Sequence, residues 1–283
     1  MRLATIAWQG REQSAVRVEE RWVPLHHVDE RLTGDLLALI RLEWDAEHLA
    51  GLERAAGGVA GNRTVAAGDA IFVPPYRHPR LIWGIGLNYA EHAADLHESQ
   101  PADPASFVKG DHTVIGHGDR IRLPSLSRRV TTEAEVGVIL GRKASHVAEE
   151  DALSVVFGIT PVLDQTAEDI LEQNPRYLTR SKNFETFFAF GPEVVTVDAL
   201  GGNLPDLEVA TVVNREVVRS NRVGNMLHSP ERLIAFHTAH MPMFAGDIIA
   251  TGTPGAGVIT PGDAVEARVQ GLAALVVTVA GES

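Results

Sequence analysis

At 283 residues the chain is long enough for one large domain, or a small one joined to a larger, with a substantial buried core. Its 45% hydrophobic and 22% charged residues are ordinary for a globular protein, while a formal net charge of -12 argues against a nucleic-acid partner, which needs concentrated Lys and Arg. The absence of cysteine removes disulfides, thiolate metal sites and a cysteine nucleophile, no stretch approaches the ~20 apolar residues of a membrane span, and residues 1–8 lack a signal-peptide pattern; a cytoplasmic protein is expected.

In chain order, residues 3–8 and 16–23 read as two strands joined by a turn at 10–14. Leu36, Leu37, Ile40, Trp44, Leu49 and Leu52 recur near helical spacing, and Gly57-Gly58 ends the pattern. A short strand at 70–73 runs into the Pro-rich stretch 74–79, the expected boundary between a small N-terminal domain (1–75) and a larger one (76–283). Beyond it, short β-rich runs at 81–85, 136–140, 194–197, 208–213, 247–251, 264–269 and 273–279 are separated by Gly, Pro and Asp. Few helices interrupt them. One starts at the acidic run 149–151. Another has Ser229 as N-cap and Pro230 in its first turn, with Leu233, Phe236 and His240 marking its inner face. This is not the strand–helix alternation of a doubly wound fold; an α+β, β-rich body of mixed, mostly antiparallel sheet is expected.

Three acids stand out. Glu133 and Glu135 lie two apart entering the apolar run 136–140, so on a strand they share a face. Two carboxylates together need a bound cation, nearby Lys or Arg, or solvent. Asp164 closes the apolar run 158–163 and is either a metal ligand or the N-cap of a following helix. Three oxygen ligands on rigid elements suit Mg²⁺ or another hard cation. Upstream, the Gly84-Ile85-Gly86 run permits close approach of backbone to a ligand, but it lacks the third glycine of a dinucleotide fingerprint. His92 and Asp95, three apart, form a candidate general base with its orienting carboxylate, or an exposed pair. Lys109 and Lys182 are surface residues or stabilisers of an oxyanion. The loop from Thr251 to Gly257 is a plain turn or a cradle whose amides and hydroxyls hold a carboxylate; it lacks the Gly-Lys-Ser/Thr ending of a phosphate loop.

The order of these segments is distinctive. GLNYAEHAADL, SFVKG, the E-x-E strand, GITPVLD, RSKNFETF, Gly191-Pro192 and AGDIIATGTPGAG together resemble the fumarylacetoacetate hydrolase family, from about Leu81 to the C-terminus. The resemblance implies the β-rich sandwich or roll of that family's C-terminal domain and a homodimer. It also implies Mg²⁺, Mn²⁺ or Ca²⁺ held by Glu133, Glu135 and Asp164, a small 2-oxo acid as substrate, His92 as the histidine that activates water or moves protons, and Lys182 as stabiliser of developing negative charge. Asp95 stands where a glutamate is usual, while Lys109, Thr253 and Asn88 match substrate-side positions. Two positions depart from the family pattern. An arginine and, three residues later, a glutamine usually face the substrate; here they are Glu168 and Leu171, with Arg176 and Arg180 as candidate replacements for the missing charge.

The expected activity is hydrolysis of a carbon–carbon bond in an acylpyruvate-type β-diketo acid. Isomerisation or decarboxylation of a 2-hydroxyhepta-2,4-diene-1,7-dioate type acid, from aromatic-compound breakdown, is the alternative. The anion at Glu168 also leaves open a metal-binding paralogue without catalysis.

Overall fold

The computed structural model describes residues 1–90 and 102–281. Its first hairpin pairs Arg2–Trp8 with Arg11–Val18 through a turn at Gln9 and Gly10, both in the left-handed region. The second strand thus starts earlier than the pattern suggests. The run expected at 16–23 is split, because Glu19 also takes a positive φ and Arg21–Pro24 returns as a third strand. The helix expected across 36–52 is likewise two: Leu37–Ile40 and Ala46–Gly57. Asp45 causes the break, because its carboxylate accepts the His48 amide at 2.9 Å and so starts a new helix.

The strands form two sheets, and all pairings but three are antiparallel among those described. The fold is therefore mixed, mostly antiparallel and β-rich, as expected. The large sheet runs Val65–Ala66, Arg21–Pro24, Arg11–Val18, Arg2–Trp8, Glu193–Thr196, Val156–Ala167, Val130–Leu140, Ile248–Ala250, Ile82–Gly86, Ala105–Lys109 along its main path. The second runs Glu216–Arg222, Glu208–Val213, Ala264–Val269, Leu275–Ala280, Arg120–Arg122. Its inward Val209, Val265, Ala267 and Val277 pack on Val136, Val138, Ile159 and Leu163 of the central hairpin. That hairpin is covered on both faces: every residue of Val130–Leu140 is buried.

Sheet and core both cross the boundary placed at 74–79. Arg2–Trp8 pairs with Glu193–Thr196, Arg2 bonds to Glu193, and the N-terminal ammonium donates to Thr196 Oγ1 at 2.6 Å. Leu3, Val16 and Leu36 share one hydrophobic cluster with Phe157, Phe188 and Ile248. In the helix Pro230–His240, Ser229 caps the Arg232 amide as expected. Its buried face is Leu233, Ile234, His237 and Thr238, not Phe236 and His240, because the contact stripe is centred about one residue later on the helix.

Gly158 marks where the N-terminal strands join the body. A Cβ there would lie 2.5 Å from the Val195 carbonyl oxygen, backbone that cannot swing aside. Gly158→Ala should therefore cost about 2 kcal/mol by overpacking and lower the melting temperature by roughly 4–8 °C in a chain this size. Gly57→Ala, at a helix end with nothing within 4 Å, should shift it little; equal melting of the two variants would contradict this reading of the junction.

Candidate metal centre

The central hairpin gathers the three acids. Its register sets Glu133 directly opposite Asp164 and Glu135 opposite Val162. Cross-strand partners share a face, as do residues two apart on one strand, so all three carboxylates project to the same side. One oxygen from each lies within 4.8 Å of the others, and all three residues are buried. Asp164 is not a helix cap: its strand continues to Ala167 and the next helix, Glu168–Gln173, begins four residues later.

Burying like charges demands counter-groups, and three distant segments supply them. Lys109, at the end of Ala105–Lys109, ion-pairs with Asp164 Oδ1 and donates to the Phe187 carbonyl at 2.7 Å. Lys182, at the end of the helix Leu178–Lys182, donates to Glu133 Oε2 at 2.5 Å and to Asp164 Oδ2 at 2.8 Å. The Gly252 amide donates to Glu135 Oε2 at 2.8 Å. The cradle expected at 251–257 thus holds a carboxylate of the protein itself. Gly252 has φ +96°, and a Cβ there would sit 2.7 Å from the Asn88 Cβ, so both conformation and space require glycine.

The electrostatics follow from burial. Desolvation pushes the Glu135 carboxyl well up, the charge of Asp164 adds to this, and Lys182 opposes it. Burial lowers the Lys109 ammonium to about 8, with Asp164 only partly restoring it and Lys182 pulling it further down. Burial also disfavours the charged Lys182, but Asp164 and Glu133 outweigh it and raise its pKa. The two lysines move in opposite directions because Lys182 touches two carboxylates and Lys109 one. The three acids, once all ionised, would exceed the two ammonium groups by one negative charge in a dry, all-oxygen donor set, which fits a hard divalent cation.

Beside the centre lies a cleft of about 520 Å³, lined by Glu133, Lys182 and Thr253 at its inner end. Thr253 Oγ1 is tied to Gly255, donating to its carbonyl at 3.1 Å. Glu168 and Leu171 line the same cleft. Glu168 does not stand as a bare anion, because Arg129 bonds to its carboxylate. The sequence alone presents Arg129 as surface charge and points instead to Arg176 and Arg180. Both of those are exposed and neither is among the described lining residues; Arg180 stacks over the Tyr177 ring at 5.6 Å. Asn88, expected on the substrate side, staples two loops: its Nδ2 donates to the His228 and Thr251 carbonyls at 2.9 and 2.7 Å and its Oδ1 accepts the His228 amide at 2.8 Å. Lys109, expected on the substrate side, is instead sealed against Asp164. His92 and Asp95 lie outside the described residues.

Residues 81–280 match the family model described as fumarylacetoacetate (FAA) hydrolase C-terminal. Oxaloacetate tautomerase Fahd2a, mitochondrial, of Rattus norvegicus is 32% identical over 213 residues, covering 72% of this chain and 68% of the relative. Among solved structures, maleylpyruvate hydrolase from Sphingobium sp. SYK-6 in complex with manganese(II) ion and pyruvate is 26% identical, with a TM-score of 0.84 and coverage of 100% of both chains. The 2-hydroxyhepta-2,4-diene-1,7-dioate isomerase from Mycobacterium marinum is 25% identical at a TM-score of 0.77, covering 100% of this chain and 99% of the other.

Titrating the protein with Mn²⁺ in a calorimeter should give one site per chain, and Glu135→Gln should weaken it by at least roughly 100-fold, the upper range for loss of a mere supporting group. Lys109→Met should cost the metal-free protein roughly 3–5 kcal/mol by leaving Lys182 as the one ammonium group bonded to the three buried acids, and saturating Mn²⁺ should recover part of that loss. Unchanged Mn²⁺ affinity in Glu135→Gln would remove the site from this hairpin.

Proposed function

The chain belongs to the fumarylacetoacetate hydrolase family, whose members are hydrolases and isomerases, and on that premise we propose that it hydrolyses a carbon–carbon bond in a small acylpyruvate-type 2-oxo acid. The observation that carries this reading is the juxtaposition of Glu133 and Lys182, at the edge of the buried acidic triad, with one end of the cleft. A divalent cation held by Glu133, Glu135 and Asp164 would supply Lewis-acid polarisation of a 2-oxo oxygen and a template for the neighbouring carboxylate.

The chain's own groups have separate tasks. Lys109 and the Gly252 amide hold the Asp164 and Glu135 carboxylates in place, which fixes the donor set before substrate arrives. Lys182 puts a permanent positive charge at the inner end of the cleft, where negative charge would grow on the 2-oxo oxygen. His92 is proposed as the base that takes a proton from water, with Asp95 orienting it; their spacing in the sequence supports this pairing. Hydroxide adds to the distal carbonyl, the bond from that carbon to the methylene breaks, and its electron pair passes into the enolate of pyruvate. One proton returned to the methylene carbon then gives pyruvate and a carboxylic acid. Water is the only other reactant.

Two of the similar proteins favour a second reading in which a proton moves and no carbon–carbon bond breaks, since one is named a tautomerase and one an isomerase. The same cleft and charges serve either, so products must decide. Acetylpyruvate incubated with the Mn²⁺-loaded protein should yield equimolar pyruvate and acetate, and Glu133→Ala should cut the rate by about 10³-fold or more. Conversion of oxaloacetate enol to keto form with no cleavage of any acylpyruvate would replace hydrolysis by tautomerisation, and release of CO₂ from a dienedioate would replace it by decarboxylation. No turnover across a broad set of 2-oxo acids would leave a binding protein.

A further inference from the structure

We infer that the outer half of this cleft selects 2-oxo acids whose distal end is uncharged and apolar, and that the Glu168–Arg129 pair excludes dicarboxylates. The inference rests on the proposed 2-oxo acid chemistry and goes beyond it by naming the substrate class.

The two halves of the cleft differ sharply. Its inner end carries Glu133, Lys182 and Thr253, with the Phe107 ring 5.0 Å from the Lys182 ammonium; Leu171, Pro175 and Leu178 line the cleft beside Glu168 and Glu172. Lys182 is the one cation among the described lining residues, and its ammonium is already bonded to Glu133 and Asp164. The remaining charged lining groups are the acids Glu168 and Glu172. A carboxylate at the far end of a substrate would therefore lose water against hydrocarbon with no uncommitted cation among the described lining residues to meet it, beside Glu172 and a Glu168 already paired with Arg129. A methyl or alkyl end would bury on Leu171, Pro175 and Leu178 at a gain.

Glu168 is the switch in this arrangement. Its carboxylate is 16% exposed and occupies the Arg129 guanidinium, itself half-exposed. The pair is fixed by the fold: Val130 pairs with Ala167 across the hairpin, and the Glu168 amide donates to the Arg129 carbonyl at 2.9 Å. While Glu168 is ionised, Arg129 has no charge to offer a substrate. Neutralising Glu168 frees it.

The test compares 2,4-dioxoheptanoate with 2,4-dioxoheptanedioate, equal in length and differing in the terminal group. Calorimetric affinity for Mn²⁺-loaded protein and kcat/KM are both measured, with oxalate as a probe of the inner end alone. The methyl-ended acid should be preferred by at least about tenfold, the scale of a single charge-assisted hydrogen bond. Glu168→Gln should raise affinity for the dicarboxylate by roughly tenfold with oxalate unchanged, and adding Arg129→Ala should abolish that gain. A gain of affinity cannot come from misfolding, and the oxalate affinity reports that the inner end is intact. Oxalate binding with equal or better binding of the dicarboxylate by the natural protein, or a gain that survives Arg129→Ala, overturns the inference and leaves the 2-oxo acid reading standing. Failure of oxalate to bind overturns both.

Discussion

Three carboxylates forced onto one face of a fully buried hairpin impose a charge constraint that shapes much of this molecule. Glu133, Glu135 and Asp164 have too little water around them to be solvated as anions and too little separation to ignore one another. In a medium of low polarity such a group stays ionised only if hydrogen-bond donors and opposite charges surround it. The fold meets the demand in part, with two ammonium groups and one backbone amide. An all-oxygen set of three acids, which once all are ionised exceeds those ammonium groups by one negative charge, fits a divalent cation.

The donors arrive from segments far apart in the chain, which couples the centre to the whole sheet. Lys109 comes from the edge strand Ala105–Lys109, Lys182 from a short helix after the hairpin, and the Gly252 amide from the loop that follows Ile248–Ala250. Asn88 binds that last loop to the segment after Ile82–Gly86 by donating to Thr251, so the loop under Glu135 and the wall of the cleft are one stapled unit. Close packing enforces the same unit at Gly84, where any side chain would collide with the Phe107 ring that lines the cleft. Leu87, a large residue at φ 57° beside this staple, stores backbone strain at the cleft itself, as binding sites often do.

The legible parts of the sequence are those where a short-range rule decides the outcome. The two-residue spacing of Glu133 and Glu135 sets their common face, because a strand alternates whatever it packs against. The helix cap at Ser229 and the break at Gly57-Gly58 are legible for the same reason. Long-range pairing is the obscure part. Asp164 is equally a cap or a ligand until the hairpin register sets it opposite Glu133. Arg129 passes for surface charge, since nothing local reveals that position 129 faces position 168 across the same hairpin. Motif order points Lys109 and Asn88 at substrate, but it carries no information on where a side chain lies once the fold closes. Where a local rule misleads, a stronger local rule wins: the Asp45 cap divides a helix whose apolar spacing alone looks continuous.

One hairpin therefore carries ion pairs of two opposite purposes. At its centre, Lys182 bridges Glu133 and Asp164 under nearly complete burial, where every charge is felt strongly and little can be altered without losing the site. Four residues beyond Asp164, Glu168 meets Arg129 at the half-exposed rim, where solvent weakens the pair's contribution to stability but not its effect on what lies beside it. Charge at the centre is constrained by the need to balance three acids, whereas charge at the rim balances only itself and can be exchanged without disturbing the core. Chemistry is thus tied to the part of the hairpin that cannot vary, and substrate choice to the part that can. On the reading proposed above, Glu168 with Arg129 and Leu171 would set which acid the site accepts, while the inner end carries the chemistry.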